Sequence, residues 1–178
     1  NVHISGRKGP QGIKDVLPRL SPEARNTITI ENDEVSWGLD ASLELADDVA
    51  LVLDIHHHFI KTGEYIEPDD DRIYRIIDSW RGVRPAMHYS LCRESNLQDA
   101  SPNTRPDMNA LLESGHKKQK LRAHSDYCWN TACNDWALSH WDWADIMVEA
   151  KMKNLASEQL LQRYYTAKDP FMGMPNAA

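Results

Sequence analysis

A parallel α/β sheet is the fold class that this sequence predicts, and two observations predict it. Short apolar segments alternate with amphipathic ones along the whole chain. The apolar segments are nearly continuous, as in strands covered on both faces, rather than alternating with polar residues. Five such strands in 178 residues suit either an open doubly wound sheet or the C-terminal part of a closed barrel. A complete (β/α)8 barrel typically takes about 250 residues.

The first strand is expected at residues 2–5, followed by a short helix over 12–20 that Pro18 interrupts. TITIEN, residues 27–32, reads as strand by its β-branched alternation. Residues 41–49 read as helix and 50–56 as a buried strand, within LVLDIHHHF. A helix over 69–80 has acids in its first turn and Ile73, Ile76, Ile77 and Trp80 on one face. PAMHYSL, 85–91, is the fourth strand, and 92–124 is a long polar region. Residues 144–150 form the last strand, with Met147 and Val148 expected in the core, and 153–164 the last helix. One domain over 1–165 and an irregular tail over 166–178 are expected.

Composition narrows the function classes. The chain is 41% hydrophobic and 26% charged, an ordinary globular balance. No apolar run approaches the roughly 20 residues of a membrane helix. The net charge of −7 argues against a surface generally adhesive to nucleic acid, but not against local basic patches or metal-supplied charge. Cys92, Cys128 and Cys133 form neither a CxxC knuckle nor an even disulfide set, which suggests a reducing, intracellular setting. The opening NVHIS reads as the interior of a strand, so a fragment of a longer chain is expected.

Chemistry concentrates at the strand ends. His3, Glu31, Asp54 with His57 or His56, His88 and Glu149 fall at or near the carboxyl ends of successive strands. In parallel sheets and barrels those ends converge on one face, where sites are built. Imidazoles and carboxylates are ligand types for divalent transition ions. Singly, each is more often a solvated or hydrogen-bonded residue; five strands delivering such a residue at one end point to a metal site. No GxGxxG, P-loop or GxSxG pattern offers an alternative chemistry.

TIENDE, VLDIHHHF, RPAMHYS, RAHSDY and DIMVEAKMK, in that order, resemble the UV damage endonuclease family. The resemblance runs from His3 to about Leu160 and implies the C-terminal portion of a TIM (β/α)8 barrel, with LVLDIHHHF on its sixth strand. It implies a metal-dependent DNA repair endonuclease that nicks duplex DNA 5′ to UV photoproducts and other lesions. It implies His3, Glu31, Asp54, His57, His88, His124 and Glu149 as ligands of two or three divalent ions, most often Mn2+. Among them Glu31, His124 and Glu149 are the expected catalytic residues. The D-x-x-H spacing selects His57, with His56 packing beside it and His58 in a loop; strict strand alternation selects His56 instead.

The chain departs from the resembled family at Ala86, where members commonly have a lysine that can be modified to bridge metals, and in lacking the first barrel strands. Damaged double-stranded DNA is the implied partner. Basic residues beside the ligands are candidates for its phosphates: Arg7, Lys8, Lys117, Lys118, Lys120, Arg122 and Lys151. Trp129, Trp136, Trp141 and Trp143 read as packing for a long loop rather than as a stacking platform for bases. Two rival functions are a one-metal sugar isomerase or epimerase of the barrel type, and an inactive fragment that binds metal or DNA without cutting.

Overall fold

The computed structural model describes residues 1–168. Five parallel strands form one sheet: β1 (Val2–His3), β2 (Thr29–Glu31), β3 (Ala50–Asp54), β4 (Ala86–Tyr89) and β5 (Asp145–Val148). Their spatial order is their chain order. A doubly wound sheet has a switch point where strand order reverses; among the described residues this sheet has none.

The helices that cross between strands are short. After β1 come α1 (Pro10–Val16), a 3-10 turn at Leu17–Arg19 and α2 (Pro22–Thr27), where one Pro18-interrupted helix was expected. α3 (Leu39–Leu43) covers only part of the expected helix at 41–49. α4 (Ile55–Thr62) begins directly at the end of β3. The Asp54 side chain caps it by accepting from the His57 amide at 2.7 Å, and Gly63 ends it at a positive φ of 81°. The strand expected to reach residue 56 therefore stops two residues early, because a capping aspartate starts a helix there.

α5 (Asp71–Ser79) is capped by Asp70 and buries Ile73 and Ile76. Each fully buried isoleucine contributes about 1.5–3 kcal/mol. Its end also braces β3: Ser79 Oγ accepts from the Leu51 amide, and Trp80 Nε1 donates to the Leu51 carbonyl. The polar stretch after β4 contains α6 (Met108–Glu113) and α7 (Lys118–Leu121), followed by α8 (Thr131–Ser139). The final helix, α9 (Asn154–Lys168), reaches three residues into the segment expected to be irregular; residues 169–178 lie outside the described part.

The outward faces of the strands and the helices over them form the main core, including Ile30, Leu51, Leu53, Met87 and Tyr89. The tryptophans are largely structural. Trp136 lies on α8, buried, with its indole N–H on the Ile66 carbonyl; Trp129 donates to the Cys92 carbonyl and Trp143 to His140. Met147 corrects the sequence reading. It is in register with His88, so it shares the site-facing side of the sheet, and on the edge strand it is 54% exposed rather than in the core. Val148, on the other side, is half-buried.

Candidate metal centre

Strand register brings the acids and imidazoles together. His3 pairs with Glu31 between β1 and β2, and Asp54 pairs with His88 between β3 and β4. Glu149 follows β5, its amide donating to the Tyr89 carbonyl at 2.8 Å. Paired residues in a parallel ladder point the same way, so these side chains rise from the carboxyl end of the sheet on one side.

Two groups of possible ligands result. Glu31, Asp54, His88 and Glu149 form one, and His3, Glu31 and His57 the other, with Glu31 common to both. His88 Nδ1 lies 3.2 Å from Glu31 Oε1 and 3.4 Å from Glu149 Oε1. His3 Nε2 lies 3.2 Å from Glu31 Oε2, and His57 Nδ1 lies 3.3 Å from Glu31 Oε1. The Asn1 amide also reaches Glu31.

The helix start explains which histidine of the triplet joins. His57 stands three residues into the turn that Asp54 caps, and turns back over that aspartate, with its Nδ1 3.6 Å from Asp54 Oδ2. Strand alternation, which nominated His56, does not apply past Asp54. His56 is buried and its ring meets the His124 ring edge-on at 5.8 Å. His58 is not in a loop: it is buried on α4, its Nε2 2.9 Å from Glu64.

His124 stands outside both groups, its ring 6.3 Å from that of His57. Its Nδ1–H donates to the Glu149 carbonyl at 2.8 Å, which leaves Nε2 as the atom available to a ligand or substrate. The strand pairing between Cys92 and His124 fixes its backbone.

Electrostatics bind the cluster to itself. Burial raises the Glu31 carboxyl, but hydrogen bonds from His57 and His88 outweigh it and hold it well below the carboxylate range. Burial disfavours the charged form of His57 too; Glu31, Asp54 and Glu34 together push it up to about 10. His88 is raised by the same contest, with Glu31 and Glu149 opposing burial. Asp54 is raised to about 6, chiefly by burial. Its Oδ2 is buried and has no hydrogen-bond partner among the described residues. An orphaned carboxylate oxygen beside three further ligand side chains fits a divalent cation, and the mixed N/O donor set suits manganese, iron or zinc.

The basic candidates divide. Arg122 lies 2.9 Å from Glu34 at the edge of the cluster. Lys118 is half-buried and donates to the Lys61 carbonyl at 2.8 Å, and Lys8 pairs with Asp15 at 3.2 Å. Arg7, Lys117, Lys120 and Lys151 are exposed. Ala86, half-buried in β4, offers no ligand two residues before His88.

Sequence reasoning missed Asn32, Asp33 and Glu34. Asn32 is buried and its side chain bonds both backbone groups of Asp54; Asp33 lies 3.3 Å from His3 Nδ1; Glu34 Oε2 lies 3.7 Å from His57 Nε2. The polar run ENDE straight after an apolar strand was the available signal.

Residues 1–170 match the family described as UV-endonuclease UvdE. A UV-damage endonuclease of Schizosaccharomyces pombe is 31% identical over 183 residues, covering 95% of this chain and 26% of that protein. A UV DNA damage endonuclease of Bacillus cereus is 23% identical, covering 90% of this chain and 47% of that protein. The chain thus spans about a quarter of the fungal relative and about half of the bacterial one. The crystal structure of SacUVDE has the same fold, with a TM-score of 0.66, 19% identity, and coverage of 93% of this chain and 50% of that one.

Proposed function

Because the chain belongs to the UV-endonuclease UvdE family, we propose that it carries the metal-binding part of a DNA repair endonuclease that nicks duplex DNA 5′ to UV photoproducts and other lesions. The observation that carries this reading is Glu31, shared by two ligand groups at the carboxyl ends of consecutive parallel strands. Among the described residues, five strands in chain order with no reversal also favour an arc of a TIM barrel over a doubly wound sheet, with residues 1–165 as its body.

Glu31, Asp54, His88 and Glu149 would hold one ion, and His3, Glu31 and His57 a second; manganese, with two or three ions, is the expected filling. With Ala86 in place of a lysine, Glu31 would be the residue shared between the two groups. Bound divalent ions supply Lewis-acid charge to a scissile phosphate and its leaving oxygen. The protein's own residues do the positioning. The Asp54 cap and the Asn32 carbonyl orient His57, and the Glu149 carbonyl presents His124 Nε2 to the substrate side. Arg122 and the exposed lysines supply charge for the DNA backbone without reading sequence. Damaged DNA as the proposed substrate favours an intracellular setting. Among the described residues no helix is long and apolar enough to cross a membrane.

A one-metal sugar isomerase has less support, since His3 and His57 make a second group around Glu31. The test is nicking of UV-irradiated supercoiled plasmid with Mn2+. Nicking confined to irradiated plasmid and lost in Glu149→Gln is expected. Equal nicking of undamaged plasmid contradicts lesion specificity, and metal binding without nicking favours the inactive fragment.

A further inference from the structure

We propose that Glu34 is a positioning residue that fixes Arg122 as a phosphate contact beside the ligand groups; this rests on the DNA-cleaving reading above. The carboxylate of Glu34 spans two partners. Its Oε1 lies 2.9 Å from Arg122 Nε, and its Oε2 lies 3.7 Å from His57 Nε2. The Glu34 side chain is 10% exposed, so the pair is held largely out of water on the acid's side. The Arg122 side chain is 44% exposed. No hydrogen bond takes up its Nη groups among the described residues. The guanidinium is therefore paired through Nε, which leaves its Nη groups, the fork that matches a phosphate, for a further partner.

Both ends of this link are themselves fixed. Glu34 follows Asp33, whose carboxylate accepts from the amides of Val35 and Ser36 and holds the turn after β2. Lys61 Nζ donates to the carbonyls of Val35 and Ser36, tying the same turn to α4. Arg122 closes α7, its amide donating to the Lys118 carbonyl, two residues before His124. An arginine held this way loses less side-chain freedom when DNA binds than a free lysine on the same face.

The sign of one substitution separates this role from mere proximity. A bystander carboxylate facing DNA repels phosphate, so neutralising it tightens binding. A carboxylate that positions an arginine does the reverse. Binding of the full chain to a UV-irradiated duplex is measured by fluorescence anisotropy across a salt series, with Mn2+ present. Glu34→Gln is expected to weaken binding by about three- to tenfold. Arg122→Ala should lower the slope of log affinity against log salt by about 1. In the Arg122→Ala background, Glu34→Gln should no longer weaken binding. Bound manganese, counted by mass spectrometry, should be unchanged in Glu34→Gln.

Equal or tighter binding by Glu34→Gln overturns the proposal, as does the same weakening in the Arg122→Ala background. Loss of manganese in Glu34→Gln makes Glu34 a ligand and also overturns it. If the unsubstituted chain neither binds nor nicks irradiated DNA, the endonuclease reading fails and takes this inference with it. Nicking with an unaltered Glu34→Gln affinity sinks the inference alone.

Discussion

The side-chain amide of Asn32 closes both backbone hydrogen bonds of Asp54, donating to its carbonyl and accepting from its N–H, each at 2.8 Å. It continues the pairing of β2 with β3 one step beyond the last strand residue, where the chain of β3 turns into α4. The Asn32 carbonyl meanwhile accepts from His57 Nδ1 at 3.1 Å. One residue thus sets the height of Asp54 and the orientation of His57.

Substituting Asn32 by alanine leaves a buried N–H and carbonyl unpaired. A loss of about 2–3 kcal/mol is expected in urea unfolding, together with weaker manganese binding. Asn32→Asp can still accept but cannot donate to the carbonyl, and it adds a charge, so it should be no better. Unchanged stability in both variants would contradict the assignment.

A divalent ion at the proposed centre would compete with protons for His57 and His88. Both imidazoles are held above their ordinary range by Glu31 and the neighbouring acids, against the opposing effect of burial. Ligation requires neutral rings, so apparent manganese affinity should rise with pH and binding should release protons. Calorimetry in two buffers of different ionisation enthalpy counts those protons, and a buffer-independent heat would contradict the prediction.

His140 gives a separate acid response. It is buried, donates from Nε2 to the Ile66 carbonyl at 3.2 Å and accepts from Trp143 Nε1 at 3.1 Å, so the folded state needs the neutral ring. Burial lowers it to about 4. Its stabilisation is complete above the unfolded value of about 6.5 and falls as pH drops from there toward about 4, by on the order of 3 kcal/mol. Unfolding measured at a series of pH values should show this loss, reduced in His140→Gln. An identical pH slope in the variant would assign the loss to other groups.

The cysteines should be inert. Cys92, Cys128 and Cys133 are all buried and unpaired, and burial pushes each thiol up to about 12. Native protein should react slowly with a thiol reagent, and urea-unfolded protein should titrate three thiols. Fast native reaction at any of them would contradict the packing.

The strand-end residues were legible because a parallel sheet converts sequence position into spatial position: the last polar residue of each strand lands on one face. That reasoning placed Glu31, Asp54, His88 and Glu149 together without reference to any relative. It failed at LVLDIHHHF because period-two alternation holds only while the backbone is extended, and a capping aspartate had already begun a helix. Asn32 and Glu34 were illegible for a related reason. Their importance comes from what the neighbouring strand and α7 bring beside them, contacts that lie 22 and 88 positions away in the chain. Met147 was misread because apolar residues carry no mark of whether their strand is at an edge.

Glu31 serving two ligand groups at once is tested most directly by counting bound metal. The unsubstituted chain, loaded with manganese and freed of excess, should carry more than one ion. His3→Ala and His88→Ala should each lose part of that complement, and Glu31→Ala should lose essentially all of it. A single ion in the unsubstituted chain, or a Glu31→Ala variant that loses no more than His3→Ala does, would contradict a shared centre.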